Sequence, residues 1–365
     1  MNKRILLSSA ILLASLGLAY APLPGTQQTL VIVSGSELQE PLAVLSERFE
    51  QENPAIRLTV AIQGSQDIVN NYLDDRNDFD PAVLIPANGE LLGELRDRWQ
   101  TQFGDSPFYG ELQPVAKTRL VAVAWPDRGK VLFPSGQFQW SRLETALAQS
   151  TWQSIGGKAE WGSFDLIMTD PDRSNSGQLT LSLWAQSEIN RDRLDAASLN
   201  QPAVEALFSL VKKSVYQPPR STDVLLQEFI ARGPNDADIA TVYESIALYR
   251  WQQANTTQRQ PYQIYYLDPT IETVSTAAIA SRNISRGQAK AAQSFVDFLT
   301  QPEQQAVFVQ FGFRPVNPAV DLQTVPNSPW SQNIPGAEID PAEEVVPLPD
   351  RDTLNEVIRL WQRAS

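Results

Sequence analysis

One three-part pattern recurs along this chain: an apolar run, a short loop of small polar residues, then a segment with helical spacing. Thr29-Leu30-Val31-Ile32-Val33 runs into Ser34-Gly35-Ser36-Glu37, and Leu38, Leu42, Leu45 and Phe49 follow at helical intervals. Residues 57–62 lead to Gln63-Gly64-Ser65-Gln66 and a helix from Ile68; residues 81–85 lead to Pro86-Ala87-Asn88-Gly89 and a helix carrying Leu91, Leu92, Leu95 and Trp99. Leu166-Ile167-Met168 enters a loop ending in Ser174-Asn175-Ser176-Gly177 before a helix over 178–186. Residues 237–242 form a fifth run, ending in Tyr243-Glu244-Ser245 before a helix through Trp251. Repeated strand–loop–helix order predicts mostly parallel sheets with right-handed crossovers. Loops at the carboxyl ends of such strands gather along one edge, where ligands bind.

Each loop has two readings. The first turn of a helix has free N–H groups and a partial positive charge, so Ser, Asn and Gly there either cap the helix or present donors to a ligand. The two roles are compatible. They make Ser34, Gly35, Ser36, Gly64, Ser65, Gln66, Asn88, Ser174, Asn175, Ser176 and Gly177 the candidate ligand-binding residues, with Tyr243 and Glu244 at the end of the fifth strand.

Composition removes most competing chemistry. The 365 residues carry 29 basic and 42 acidic side chains, a formal net charge of −13, which argues against a nucleic-acid partner. With no cysteine and no histidine, disulfides, Cys/His zinc sites and Ser-His-Asp or Cys-His catalysis are excluded. Ser209-Leu210-Val211-Lys212 has the Ser-x-x-Lys form, but its partner motifs are missing and it sits in an amphipathic helix. The acidic run from Asp74 to Asp80 lacks the glycine and glutamate of a calcium loop and reads as a solvated turn. Tyr265 and Tyr266 are adjacent in a strand, so they point to opposite faces and do not ligate one ion. No cofactor and no bound metal is expected.

Elsewhere, Lys3 and Arg4 precede an apolar run over 5–19, and Ala19-Tyr20-Ala21 has the small-x-small form of a cleavage site, so 1–21 reads as an export signal. Pro22 disfavours cleavage, which leaves a removed leader and a retained N-terminal anchor as alternatives; the run is short for a span, which needs ~20 residues. Residues 22–28 read as a linker and 100–116 as irregular. A strand over 118–125 is closed by Pro126. Helices are expected near 140–148, 204–215, 221–231, 288–299, 302–311 and 352–364, and strands over 262–267 and 273–279. Residues 318–350 are rich in Pro, Asn and Asp and are expected to wrap over the surface.

Taken in order, Val-Ser-Gly-Ser-Glu, Ile-Gln-Gly-Ser-Gln, Asp80-Pro-Ala-Val-Leu-Ile-Pro-Ala-Asn, Thr169-Asp-Pro-Asp-Arg-Ser-Asn-Ser-Gly, Ala237-Asp-Ile-Ala-Thr-Val-Tyr-Glu-Ser and the closing segments at Phe295 and Phe311 resemble a bacterial extracellular (periplasmic) solute-binding protein of the two-lobed type 2 kind, in the branch found beside von Willebrand factor A-type modules. The resemblance covers about residues 29–318. It implies an α/β fold of two lobes, each a mainly parallel sheet flanked by helices, joined by two crossing strands at 118–125 and around 262–269. Lobe one would be 29–120 plus 270–365 and lobe two 121–269. It also implies that Ser34, Ser36, Ser65 and Gln66 face Ser174, Asn175 and Ser176 across a cleft, with Tyr243 and Glu244 near the hinge. The implied function is an exported receptor that closes on a small polar or anionic ligand and delivers it to an ABC-type membrane transporter, from the periplasm or cell exterior. Membrane contact would then run only through 1–21, if uncleaved. The alternatives are a membrane-anchored interaction or sensing module with the same fold and, more remotely, a hydrolase.

Overall fold

The computed structural model describes residues 27–365; the expected export signal and most of the linker lie outside the described residues. Strands β1 (Gln28–Ser34), β2 (Ile56–Ile62) and β3 (Pro81–Ile85) run parallel, with β1 in the middle. Between them lie α1 (Gln39–Glu52) and α2 (Ser65–Leu73), and α3 (Glu90–Phe103) follows β3. The apolar stripe of α1 packs with α10 (Arg286–Leu299) and α11 (Pro302–Gln310) on one sheet face, where Phe49 meets Phe295 and Phe298 edge-on at 5.2 and 5.3 Å. Helices α2 and α3 cover the other face. Every residue of β3 is buried, as expected of a strand covered on both sides.

The long strand β4 (Phe108–Ala124) joins the two halves. Its first part pairs with β8 (Glu272–Ala280), and its last part pairs with β6 (Ile239–Tyr243) and β7 (Gln263–Tyr266), all antiparallel. The strand order is β2-β1-β3-β8-β4-β6-β5, with β5 (Leu166–Ile167) parallel to β6 and β7 beside β4. The fold is the expected two-lobed α/β architecture. Its sheet is mixed: the nucleus of each lobe is parallel, and the crossing strands run against it.

Two local expectations are corrected. Residues 108–116 are strand, not irregular; the ladder to β8 shifts register between Tyr109 and Gln113 and between Pro114 and Ala116, and such bulges destroy the two-residue alternation that marks a strand in sequence. Pro126 ends β4 but also starts a helix, α4 (Pro126–Leu132), where its missing N–H costs nothing.

The second half is built from α5 (Trp140–Gln149), α6 (Asn175–Glu188), α7 (Pro202–Ser214), α8 (Thr222–Arg232) and α9 (Glu244–Thr257) around β5–β7, with a continuous apolar core. The last helix, α12 (Arg351–Arg363), adds Val357, Leu360 and Trp361 to that core. Lys212 donates to the carbonyls of Trp361 (2.7 Å) and Gln362 (3.3 Å), a cation placed at a helix C-terminus. The Ser-x-x-Lys lysine is thus a structural anchor. Helix α12 packs against α6 and α7 and also borders a crevice with α2 and α3. No helix among the described residues is long and apolar enough to cross a membrane.

Candidate functional site

The registers Ser34↔Ile62 and Ser34↔Ile85 align the carboxyl ends of β2, β1 and β3, so the loops that follow them are neighbours. Ser65 Oγ accepts from the Ala87 N–H at 3.0 Å and ties two of these loops together. On the opposite wall, the Asp170 N–H donates to the Pro219 carbonyl at 2.9 Å, and Ser176 Oγ shares a hydrogen with Thr222 Oγ1 at 2.7 Å. These bonds place the starts of α6 and α8 side by side. Between the walls lies a cleft of about 280 Å³.

Seven predicted residues line it: Gly35, Ser36, Gly64 and Ser65 on one side, and Ser174, Asn175 and Tyr243 on the other. The two sides touch. Ser221 Oγ donates to Ser36 Oγ at 2.9 Å, and Arg250 on α9 bonds both Asp223 of α8 (2.8 Å) and Glu40 of α1 (3.3 Å). A Cβ at Gly64 would lie 2.8 Å from the Arg173 carbonyl, so glycine lets the walls meet there.

The other six candidates do not line the cleft. Ser34 is fully buried, with its hydroxyl donated to the Gly35 carbonyl. Gln66 turns into a crevice between α3 and α12. Asn88 is buried, and its Oδ1 accepts from the Glu90 N–H at 3.0 Å, capping the start of α3. Ser176 is buried behind the wall, bonded to Thr169, Ser174 and Thr222. Gly177 packs so tightly that a Cβ would meet the Thr169 carbonyl at 2.5 Å. Glu244 is fully buried in an ion pair with Arg314. These residues support the walls and do not line the cleft.

Capping alone does not account for the lining residues. Ser174 occupies the N-cap position of α6, yet its hydroxyl makes no capping bond and turns to Ser176 Oγ at 3.1 Å. The starts of α2, at Gly64, and α9, at Tyr243, also lack a side-chain cap. At α9 the Ser245 N–H donates instead to Thr118 Oγ1 at 3.0 Å, and at α6 Ser176 and Gly177 pack against Thr169.

Reading by small polar residues missed Glu37, Asp67, Asn71, Arg220, Ser221 and Thr222, all of which line the cleft. Glu37 is the most unusual. Its carboxylate folds back over Gly35, where any Cβ would overlap it, and its Oε1 is buried without a partner. Burial pushes the Glu37 carboxyl up to about 7, and the charge of Asp223 adds to this. Asn175 Nδ2 donates to Tyr243 Oη at 2.9 Å and leaves the Asn175 Oδ1 buried and unpaired. Burial, then the charge of Glu37, holds the Tyr243 phenol well above its ordinary range, so it stays a neutral donor. No group of three or more Asp, Glu, His or Cys placed to hold a metal occurs among the described residues. The cleft thus offers hydroxyls, side-chain amides, one guanidinium and two carboxylates. It can bind by hydrogen bonds and charge.

The sequence pattern of the family described as bacterial extracellular solute-binding protein matches residues 30–314. No curated protein is similar in sequence. Among solved structures, the periplasmic binding protein AfuA from Actinobacillus pleuropneumoniae, with exogenous fructose-6-phosphate bound, is similar at 14% identity over 92% of this chain and 98% of that one, with a TM-score of 0.61. The ferric binding protein from Campylobacter jejuni is similar at 13% identity over 92% and 99%, TM-score 0.59. The sulfate-binding protein SubI from Mycobacterium tuberculosis is similar at 16% identity over 80% and 88%, TM-score 0.56. At these identities the likeness is one of fold.

Proposed function

The chain belongs to the bacterial extracellular solute-binding proteins, and from that premise we propose that it closes on one small polar solute, an oxyanion or a polar organic molecule, in the cleft between Ser36 and Asn175. The observation that carries this reading is the contact of the two walls around a cavity of about 280 Å³, lined by loop residues before helices and by hydrogen-bonding side chains. Such a site is built to bind and release a solute. Delivery to an ABC-type permease outside the cytoplasmic membrane follows from the family's role, with residues 1–21 as a leader or an anchor. The ordered motifs support the finer placement beside von Willebrand factor A-type modules. We divide the lobes at the crossing strands: 29–120 with about 270–317 in one, and 121–269 with 318–365 in the other.

The structural relatives are described with sulfate, iron and a sugar phosphate, so the test is a thermal-shift screen across oxyanions, sugars, amino acids and metals. A ligand that binds only the folded state raises the melting temperature. A hit should be lost in Asn175→Ala and Ser174→Ala. No shift with any class, or a hit insensitive to both substitutions, refutes the assignment of this cleft.

A further inference from the structure

Three carboxylates and one guanidinium meet where the two walls touch. Glu37 and Glu40 stand on the first wall, in the turn after β1 and the first turn of α1; Asp223 and Arg250 stand on the second, on α8 and α9. Arg250 is already engaged. It pairs with Asp223 through Nε and Nη2, both at 2.8 Å, and reaches across to Glu40 at 3.3 Å. Among the described residues no cation pairs with Glu37. It is 8% exposed, and its Oε1 has no hydrogen-bond partner. Asp223 and Tyr243, which face it, belong to the opposite wall, so its burial depends on the walls being together. An unpaired buried carboxylate is costly, and a like charge beside it adds to that cost.

Resting on the receptor reading above, we propose that the contact between the walls is a proton-linked latch: the cleft closes with Glu37 protonated and is driven open when Glu37 loses that proton, so that a rise in pH releases the solute. With the walls apart, water reaches Glu37 and Asp223 is withdrawn, and the carboxyl ionises at its ordinary value of 4.5. With the walls together it ionises at about 7, chiefly because of burial; its own backbone N–H opposes the rise and Asp223 adds to it. Closing therefore takes up a proton between these two values. The ratio of closed to open protein is favoured in full below pH 4.5, falls by up to tenfold per pH unit as pH rises from 4.5 to 7, and no longer depends on Glu37 above that range.

The groups around Glu37 set the sign. Asp223 on α8 opposes its ionisation, and Tyr243 on β6 stays neutral beside it. Glu40 on α1 and Tyr249 on α9 border the same small crevice, and Arg250 compensates Glu40 and Asp223. On the cleft side stand Asp67 on α2 and Arg220 before α8. One guanidinium thus serves two carboxylates, and the third is left for a proton. The bond from Ser221 Oγ to Ser36 Oγ, at 2.9 Å, joins the walls one residue away from Glu37, so its ionisation acts directly on the contact.

The experiment is a distance measurement across the cleft. The chain has no cysteine, so a spin-label pair goes uniquely onto Gln100→Cys in α3 and Glu205→Cys in α7, both exposed and on opposite sides of the cleft. Electron double resonance on the full chain at pH 5, 6, 7 and 8, at constant ionic strength and with no solute added, reads the ratio of closed to open distances. That ratio should fall at least tenfold from pH 5 to pH 8. In Glu37→Gln, which keeps the shape and cannot ionise, the closed distances should persist at every pH. Equal distance distributions at pH 5 and pH 8 in the labelled parent overturn the latch, whether or not Glu37→Gln folds. A pH trend that survives Glu37→Gln overturns it too. Because no solute is present, either result leaves the receptor reading standing, and a solute screen without a hit counts against that reading alone.

Discussion

Replacing Arg314 by Met should destabilise the protein by about 3–5 kcal/mol, the cost of stranding one partner of a buried ion pair. Arg314 donates from Nε and Nη2 to the two carboxylate oxygens of Glu244, both at 2.8 Å. Glu244 is fully buried, and its other donor is the Tyr266 hydroxyl at 2.6 Å. Removing the guanidinium leaves a buried carboxylate with one neutral donor. Arg314 also binds the carbonyls of Ile339 (2.6 Å) and Glu338 (3.1 Å), and its backbone bridges to Lys117 in β4. It therefore joins the crossing strand, the start of α9 and the C-terminal wrap. Glu244→Gln should cost less, about 1.5–3 kcal/mol, because Arg314 keeps two carbonyl acceptors. The double variant should be more stable than the single costs added together, since it strands no charge; the coupling should reach about 2 kcal/mol. Urea denaturation at pH 7, followed by tryptophan fluorescence, measures all three, with the m-values checking that one cooperative transition is being compared. An Arg314→Met cost below about 1 kcal/mol, or strict additivity, refutes the reasoning.

Other expectations follow from the cleft and its supports. Because the Glu37 carboxyl is raised from 4.5 to about 7, the folded state holds its proton more tightly than the unfolded chain; this stabilisation is complete below pH 4.5 and is lost as pH rises through 7. Glu37→Gln should remove that slope and stabilise the ligand-free protein above pH 7 by up to about 3 kcal/mol, measurable as melting temperature against pH. Gly64→Ala, whose Cβ would press on the Arg173 carbonyl, should hold the walls apart: ligand affinity should drop on the order of tenfold, a loss of about 1.4 kcal/mol, with the melting temperature of the free protein unchanged. Ser221→Ala removes both the cap on the Val224 N–H and the bond to Ser36, and should cost about 1 kcal/mol in stability while also weakening ligand binding. Lys212→Met should release the end of α12, seen as faster hydrogen exchange in 351–363 with the rest of the chain unaffected.

The fold was legible because its units are regular. β1 and β3 carry apolar runs and β2 alternates apolar with polar residues; each leads to a helix with an apolar stripe, and these signals survive in sequence. What escaped were places where one residue serves two elements or a ladder is irregular. Pro126 reads as a stop and is also a helix start; residues 108–116 pair with β8 through two bulges and lose their alternation. The C-terminal helix was found, but not its position. Amphipathicity says that a helix packs on something, and only the fold says that Trp361 packs beside α6 and α7.

The site was legible in kind but not in membership. Small polar residues after strands mark loops that converge on one edge, and residues named by that logic lie on both sides of this cleft. It cannot tell a residue that faces the cleft from one that props it up, because both need the same chemistry. Ser174 and Ser176 are two positions apart; one lines the cleft, and the other is buried against Thr169 and Thr222. The same logic passed over Glu37, since a glutamate in the first turn of a helix is ordinary in sequence. Its burial makes it unusual, and burial depends on Gly35 next to it, on Tyr243 from a strand about two hundred residues away, and on contact between the walls. The serines and glycines thus build a surface able to accept many polar solutes. Glu37 and Asn175 stand apart from them, since each keeps a buried acceptor without a protein partner beside that surface.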